Sequence, residues 1–181
     1  PSVMAGFSYL ENFPEAVAEY KRFFFEDSRL ELSAFPAWTD QYQSWGETAN
    51  TGLLQSLHTD DTGHRWLQKG DISSGRLWGG CVEVLEMMKA TLAWPAADFW
   101  VGRILFLATS EDKPTPDEVA FFLRNYGMQG IFNKITGLLI GRPKGYTPEE
   151  RLELDQAVLR VVAGEFEARH LNIVTNLDMG H

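Results

Sequence analysis

Four side chains able to hold a metal fall within seven positions: His58, Asp60, Asp61 and His64. Nothing in the surrounding pattern fixes their geometry, so a solvated turn is expected there and not a metal site. Cys81 is the one cysteine, and with a histidine elsewhere it could act as a thiol nucleophile. It lies between Gly79-Gly80 and an apolar helix-forming run, where a buried structural thiol is the expectation. Ser73-Ser74 is followed by Gly75 but lacks the Gly-x-Ser-x-Gly frame of a nucleophile elbow. Gly127-x-x-Gly130 and Gly137-x-x-x-Gly141 lack the spacing that cradles a phosphate or dinucleotide. No local motif completes a catalytic centre, and neither a metal nor an organic cofactor is expected.

Composition narrows the class. A chain of 181 residues with 44% apolar side chains can bury roughly 70% of its unfolded surface, so a single domain over 1–181 is expected. Six Trp and twelve Phe supply large rings for a core or for a cleft that takes flat ligands. The formal net charge of -9 disfavours a nucleic-acid partner, whose phosphates need Lys and Arg. No run approaches the roughly 20 apolar residues of a membrane helix, and no basic leader is seen, so neither membrane insertion nor export is expected. The lone cysteine fits a reducing compartment, here the bacterial cytoplasm. The chain opens at Pro1 and stops at His181 directly after an extended run, and it is read as a fragment.

The elements that must position any site follow from periodicity. Asn12-Phe-Pro14-Glu15 signals a helix start, running to about Phe25 with Val17, Tyr20 and Phe24 on one core-facing stripe. Leu30 to Phe35 alternates as a short strand. Residues 36–63 are irregular and long enough to be functional or mobile. His64–Lys69 and Arg76–Gly79 read as strands paired across a turn-rich connection, Gly70 to Gly75. Gly79-Gly80 permits a sharp entry into a helix at Val82–Met88. Arg103–Leu107 and Ile135–Ile140 read as buried strands. A helix opened by Pro114-Thr115-Pro116 runs to about Tyr126 and is capped by Gly127. Thr147-Pro-Glu-Glu150 opens a helix to about Val162, and Ile173–Thr175 is the last strand. Strands interspersed with helices give an α/β class.

Several segments carry a resemblance. They are Val3-Met-Ala-Gly-Phe-Ser8, Trp38-Thr-Asp40, Gly79-Gly-Cys-Val-Glu-Val-Leu85, Leu105-Phe-Leu107 and Ser110-Glu-Asp-Lys-Pro114. Phe122-Leu-Arg-Asn-Tyr126, Gly141-Arg-Pro-Lys-Gly145 and Asn176-Leu-Asp-Met-Gly-His181 continue the series. In order and spacing the chain resembles the C-terminal domain of the LD-carboxypeptidase family of serine peptidases, in the branch related to the microcin C self-immunity peptidase. That resemblance implies a swivelling β/β/α-type domain with a barrel-like mixed sheet flanked by helices. An N-terminal α/β domain, absent from this sequence, would carry the nucleophile of a Ser-His-Glu triad.

The same resemblance assigns residues. His181 matches the triad histidine, and imidazole suits proton shuttling near neutral pH. The acidic member falls at Ala108, which can neither accept the histidine N–H nor stabilise imidazolium; such a loss costs on the order of 10⁴-fold in rate in other triads. Three readings stay open: a deliberate inactivation, a natural pseudoenzyme, or replacement by Glu111 or Asp112, three or four residues and about 10 Å along the chain. An inactive isolated chain is expected. Trp38 and Trp45 match a substrate loop in which a ring stacks on a flat group, the alternative being half-buried loop anchors. Glu83 and Arg142 could line the same cleft, or be a helix-surface acid and a solvated loop charge. The implied substrate is a murein tetrapeptide or a microcin C type peptidyl- or aminoacyl-adenylate, with toxin immunity or peptidoglycan recycling as the setting. Exposed sheet edges would favour a homodimer. A non-catalytic binding or dimerisation domain is the alternative.

Overall fold

The computed structural model describes residues 14–26, 31–39, 41, 46–47, 56–59 and 62–179. The chain divides into two compact units, residues 1–63 and residues 64–181. No helix among the described residues is long and apolar enough to cross a membrane.

In the first unit the expected helix is present as α1, Pro14–Phe25. Its stripe is only partly a core face: Val17 and Tyr20 are half-buried, whereas Phe24 is 65% exposed and meets Phe25 edge to face. The expected strand at 30–35 is not formed over its described residues, 31–35. Alternation alone does not make a strand without a partner to complete its backbone hydrogen bonds. Pairing comes later, where β1 (Ala37–Trp38) runs antiparallel to β2 (His58–Thr59), with Trp38 opposite His58.

The second unit holds β3 (Arg65–Gln68), β4 (Arg76–Cys81), α2 (Val82–Met88), β5 (Arg103–Ala108) and α3 (Pro116–Met128). It continues through β6 (Gly137–Gly141), α4 (Pro148–Leu159), a π-helical extension (Arg160–Glu165) and β7 (Asn172–Leu177). The sheet order is β3-β7-β6-β5-β4. β4 to β7 are mutually parallel and β3 is antiparallel to β7. The sheet is mixed and flanked by helices, and among the described residues β3 and β4 stand at its two edges.

The expected β3–β4 hairpin is therefore corrected: both strands exist, at opposite edges. The connection of residues 69–75 runs beneath the start of the sheet and is tied to each strand it passes. The Gly70 amide donates to Asn172 Oδ1 at 2.8 Å, Asn172 Nδ2 donates to Ser73 Oγ at 2.7 Å, and Ser73 Oγ donates to the Thr136 carbonyl at 2.5 Å. A Cβ on Gly75 would lie 2.2 Å from the Gly102 carbonyl oxygen, so only glycine allows the last step to pass that close. Crossing four strand spacings needs about 19 Å, and this length of extended chain spans it. The polar side chains that suggested a turn instead satisfy backbone groups at the sheet's lower edge.

Leu105, Leu107, Leu138, Ile140 and Ile173 bury one sheet face against Val119, Leu123, Tyr126, Leu154, Val158 and Val161. α3 and α4 start as their sequences require. Thr115 and Thr147 each accept from the backbone N–H three residues on, Glu118 and Glu150 reach back, and a proline fills the first turn; each cap contributes about 1 kcal/mol. Gly127 is not the cap of α3, because the helix continues to Met128 and Gly130 takes the left-handed conformation after it. Gly127 is buried beneath Phe166, whose ring lies 2.4 Å from where a Cβ would be. Gly127→Ala gains about 1 kcal/mol of helix propensity but forces the ring away, at about 1–3 kcal/mol. Chemical denaturation should show a net loss of about 1 kcal/mol; a gain would mean the Phe166 contact contributes little.

Candidate active site

Because β4 to β7 are parallel, their ends at Cys81, Ala108, Gly141 and Leu177 meet along one edge of the sheet. Ligands of open α/β sheets bind at this edge, in the loops beyond the strand ends. β3 is antiparallel, so His64 immediately before it reaches the same edge. This register brings together Ala108, Glu83 and Arg142, which are far apart in sequence.

Ala108 is the last residue of β5 and pairs with Cys81. On its core side is a void of about 10 Å³ between Val82, Leu107, Val119, Leu123 and Leu154, room for at most one water. That void has no room for a longer side chain at 108. Glu111 and Asp112 lie in the exposed turn beyond it. That loop is held from two sides, by Lys113 Nζ on Glu150 at 2.9 Å and by the Tyr146 hydroxyl, which donates to the Pro114 carbonyl.

Glu83 stands in the first turn of α2, where the helix dipole favours an acid. Its carboxylate accepts from the Ser110 amide at 3.0 Å, the Ser110 hydroxyl at 2.7 Å and the Cys81 thiol at 3.2 Å. Burial pushes this carboxyl upward, but the bonds from Ser110, from its own amide and from Cys81 outweigh it and hold the group below the ordinary carboxylate range. Burial, joined by the Glu83 carboxylate and opposed by the Val84 backbone, pushes the Cys81 thiol up. Thiolate is then scarce, in keeping with a structural role for Cys81.

Arg142 is not a solvated loop charge. It is 7% exposed, its Nη1 donates to Asp178 Oδ1 at 2.6 Å, and its Nε donates to Asn176 Oδ1 at 3.1 Å. His64 Nε2 lies 3.5 Å from the other oxygen of Asp178. Trp38 belongs to the first unit, where its ring stacks on His58 at 4.5 Å between centroids. His181 and Trp45, with Asp60 and Asp61, lie outside the described residues. Among the described residues no three His, Cys, Asp or Glu side chains are grouped to hold a metal ion. Sequence reasoning missed Ser110, Asn176 and Asp178 as site partners. They stand in segments whose pattern was noticed, but their bonds join positions 27 to 36 residues apart and leave no local signature.

Glu83 generates a pH test. Its folded pKa is lowered, so its stabilisation is complete above the unfolded value of about 4.5 and is lost as pH falls through the folded value. The stability gap between the parent and Glu83→Gln, read as urea midpoints, should be widest at neutral pH and close as the medium is acidified below the unfolded value. A gap independent of pH would mean the Ser110 bonds do not favour the ionised form.

Comparison with known proteins places this geometry. The fold is similar to that of an MccF-like protein from Streptococcus pneumoniae, solved in complex with AMP. The two are 26% identical with a TM-score of 0.75, over 93% of this chain and 50% of that one. An MccF-like protein from Bacillus anthracis str. Ames is 21% identical with a TM-score of 0.68, over 90% of this chain and 47% of that one. The microcin C7 self-immunity protein MccF in complex with aspartyl sulfamoyl adenosine is 16% identical with a TM-score of 0.63, over 96% of this chain and 50% of that one. This chain thus spans about half the length of these proteins. No curated protein matches it significantly in sequence. Residues 74–181 match the LD-carboxypeptidase C-terminal domain, and the chain belongs to that family.

Proposed function

We infer that this chain is the C-terminal half of a serine hydrolase whose nucleophile comes from an N-terminal domain outside this sequence. The reaction is hydrolysis of an amide bond through an acyl-enzyme. His181 would take the serine proton and return it to the leaving amine. The carboxylate that orients such an imidazole would stand at position 108, where alanine leaves the chain without it. The observation that carries this reading is the strand register. Ala108 ends β5, two strands from β7, about 10 Å across the sheet, and β7 ends four residues before His181. A carboxylate at position 108 would stand at the same sheet edge to which β7 delivers the chain.

The complexes of similar proteins with AMP and with aspartyl sulfamoyl adenosine favour, over a murein tetrapeptide, a peptidyl- or aminoacyl-adenylate type of substrate in which nitrogen links the acyl group to the nucleotide, so that an amine-type leaving group receives the proton. Trp38, already stacked on one ring, has the chemistry of a platform for a flat base. Ala108 favours the second reading, a binding domain that keeps the fold without turnover.

The two readings separate in a polypeptide that joins this chain to the family's nucleophile domain. With Ala108→Glu, a fluorophosphonate should label the serine, and amino acid should be released from an N-acyl-linked aminoacyl sulfamoyl adenosine on the order of 10³–10⁴-fold faster than with alanine. A folded Ala108→Glu protein that neither labels nor cleaves would leave only the binding domain.

A further inference from the structure

The end of β7 is fixed by charge, by steric contact and by an unusual backbone conformation. Asn176 is buried, 3% exposed, and adopts φ +60, a left-handed conformation that few residues other than glycine take without cost. Its Oδ1 accepts from Arg142 Nε, and two residues later Asp178 Oδ1 accepts from Arg142 Nη1. The backbone between them is held from the same residue, because the Arg142 amide donates to the Leu177 carbonyl at 2.9 Å. That carbonyl also accepts from the Met179 amide at 2.8 Å, which folds the segment back on itself. Gly141 makes room for the fold: a Cβ there would sit 2.4 Å from the Met179 carbonyl oxygen. The β6–β7 register shifts between Leu139 and Gly141, so the two strands do not simply run out in parallel.

We propose that Arg142 is a positioning residue whose guanidinium, bridging Asn176 and Asp178, sets the direction in which β7 hands the chain on to the catalytic histidine. This rests on the hydrolase reading for its purpose and on described geometry for its existence. A buried guanidinium that grips two acceptors two residues apart fixes both position and rotation of the backbone between them, because its donors form a rigid planar fork. General-base catalysis requires the imidazole within hydrogen-bond reach of the hydroxyl, so a shift of about 1 Å in its anchor costs about 10²-fold. His64 Nε2 lies beside the second oxygen of Asp178, at 3.5 Å.

The test has two arms. In this chain, amide hydrogen exchange at Met179 should quicken about tenfold or more in Arg142→Met, as the loss of a charge-assisted bond predicts, while Leu105 and Leu138 in the core stay protected. Asn176→Gly is the second variant, since glycine accepts φ +60 while the Oδ1 acceptor is removed; Met179 should again exchange faster. In the joined polypeptide carrying Ala108→Glu, Arg142→Met should lower kcat by about 10²-fold with KM nearly unchanged, and Arg142→Lys should recover part of it. Unchanged exchange at Met179 in both variants, or a loss expressed in KM alone, overturns the positioning role. Inactivity of the Ala108→Glu protein with Arg142 intact overturns the hydrolase reading instead, and with it the catalytic purpose of the grip, while the exchange result stands.

Discussion

Parallel pairing of four strands is the constraint on which the site depends. Each parallel step returns the chain to the bottom of the sheet, so every strand delivers its last residue to the same edge. Residues from positions 81 to 177 are collected there with no long loop reaching across. The helices that make those returns must cover a sheet face, which is why β5, β6 and β7 bury Leu105, Leu138 and Ile173 beneath α3 and α4. Packing of the core and alignment of the edge are one event: a slipped register would carry apolar residues to the other face and strand ends away from one another.

Much of this was legible in the chain. The apolar runs of β5 and β6 announced strands buried in a sheet, and Thr-Pro-Asp-Glu and Thr-Pro-Glu-Glu announced helix starts, because the chemistry of both signals is local. What failed to show was non-local. Gly70 to Gly75 has the composition of a tight turn, yet its polar groups are used one strand after another along the sheet's base. Gly127 has the position of a helix cap, yet it serves a ring 39 residues further on. Arg142 lies in a loop-like Gly-Arg-Pro-Lys-Gly run, yet it is buried by partners it meets only after β6 and β7 have paired.

At the edge itself the electrostatics divide the labour. Glu83 is kept ionised by donors from Ser110 and Cys81, and this fixes the loop that follows Ala108. Arg142 and Asp178 balance each other at the end of β7. A buried charge without a partner is costly, so each stays only because its counterpart is built in beside it. Between these two charged clusters Ala108 closes β5 with a small apolar side chain.

β7 is an interior strand only because β3 lies against it. β3 is four residues long, secured by Arg65 on Asp155 at 2.8 Å and by Gln68 Nε2, which donates to the carbonyls of Ala168 and Leu171. The segment that matches the family begins at residue 74, beyond this strand, whereas the compact unit begins at residue 64. A boundary drawn by sequence likeness would therefore cut away a wall of the sheet. It would bare the flank of β7 to any other strand with free backbone groups, beside the residues the edge exists to hold in place.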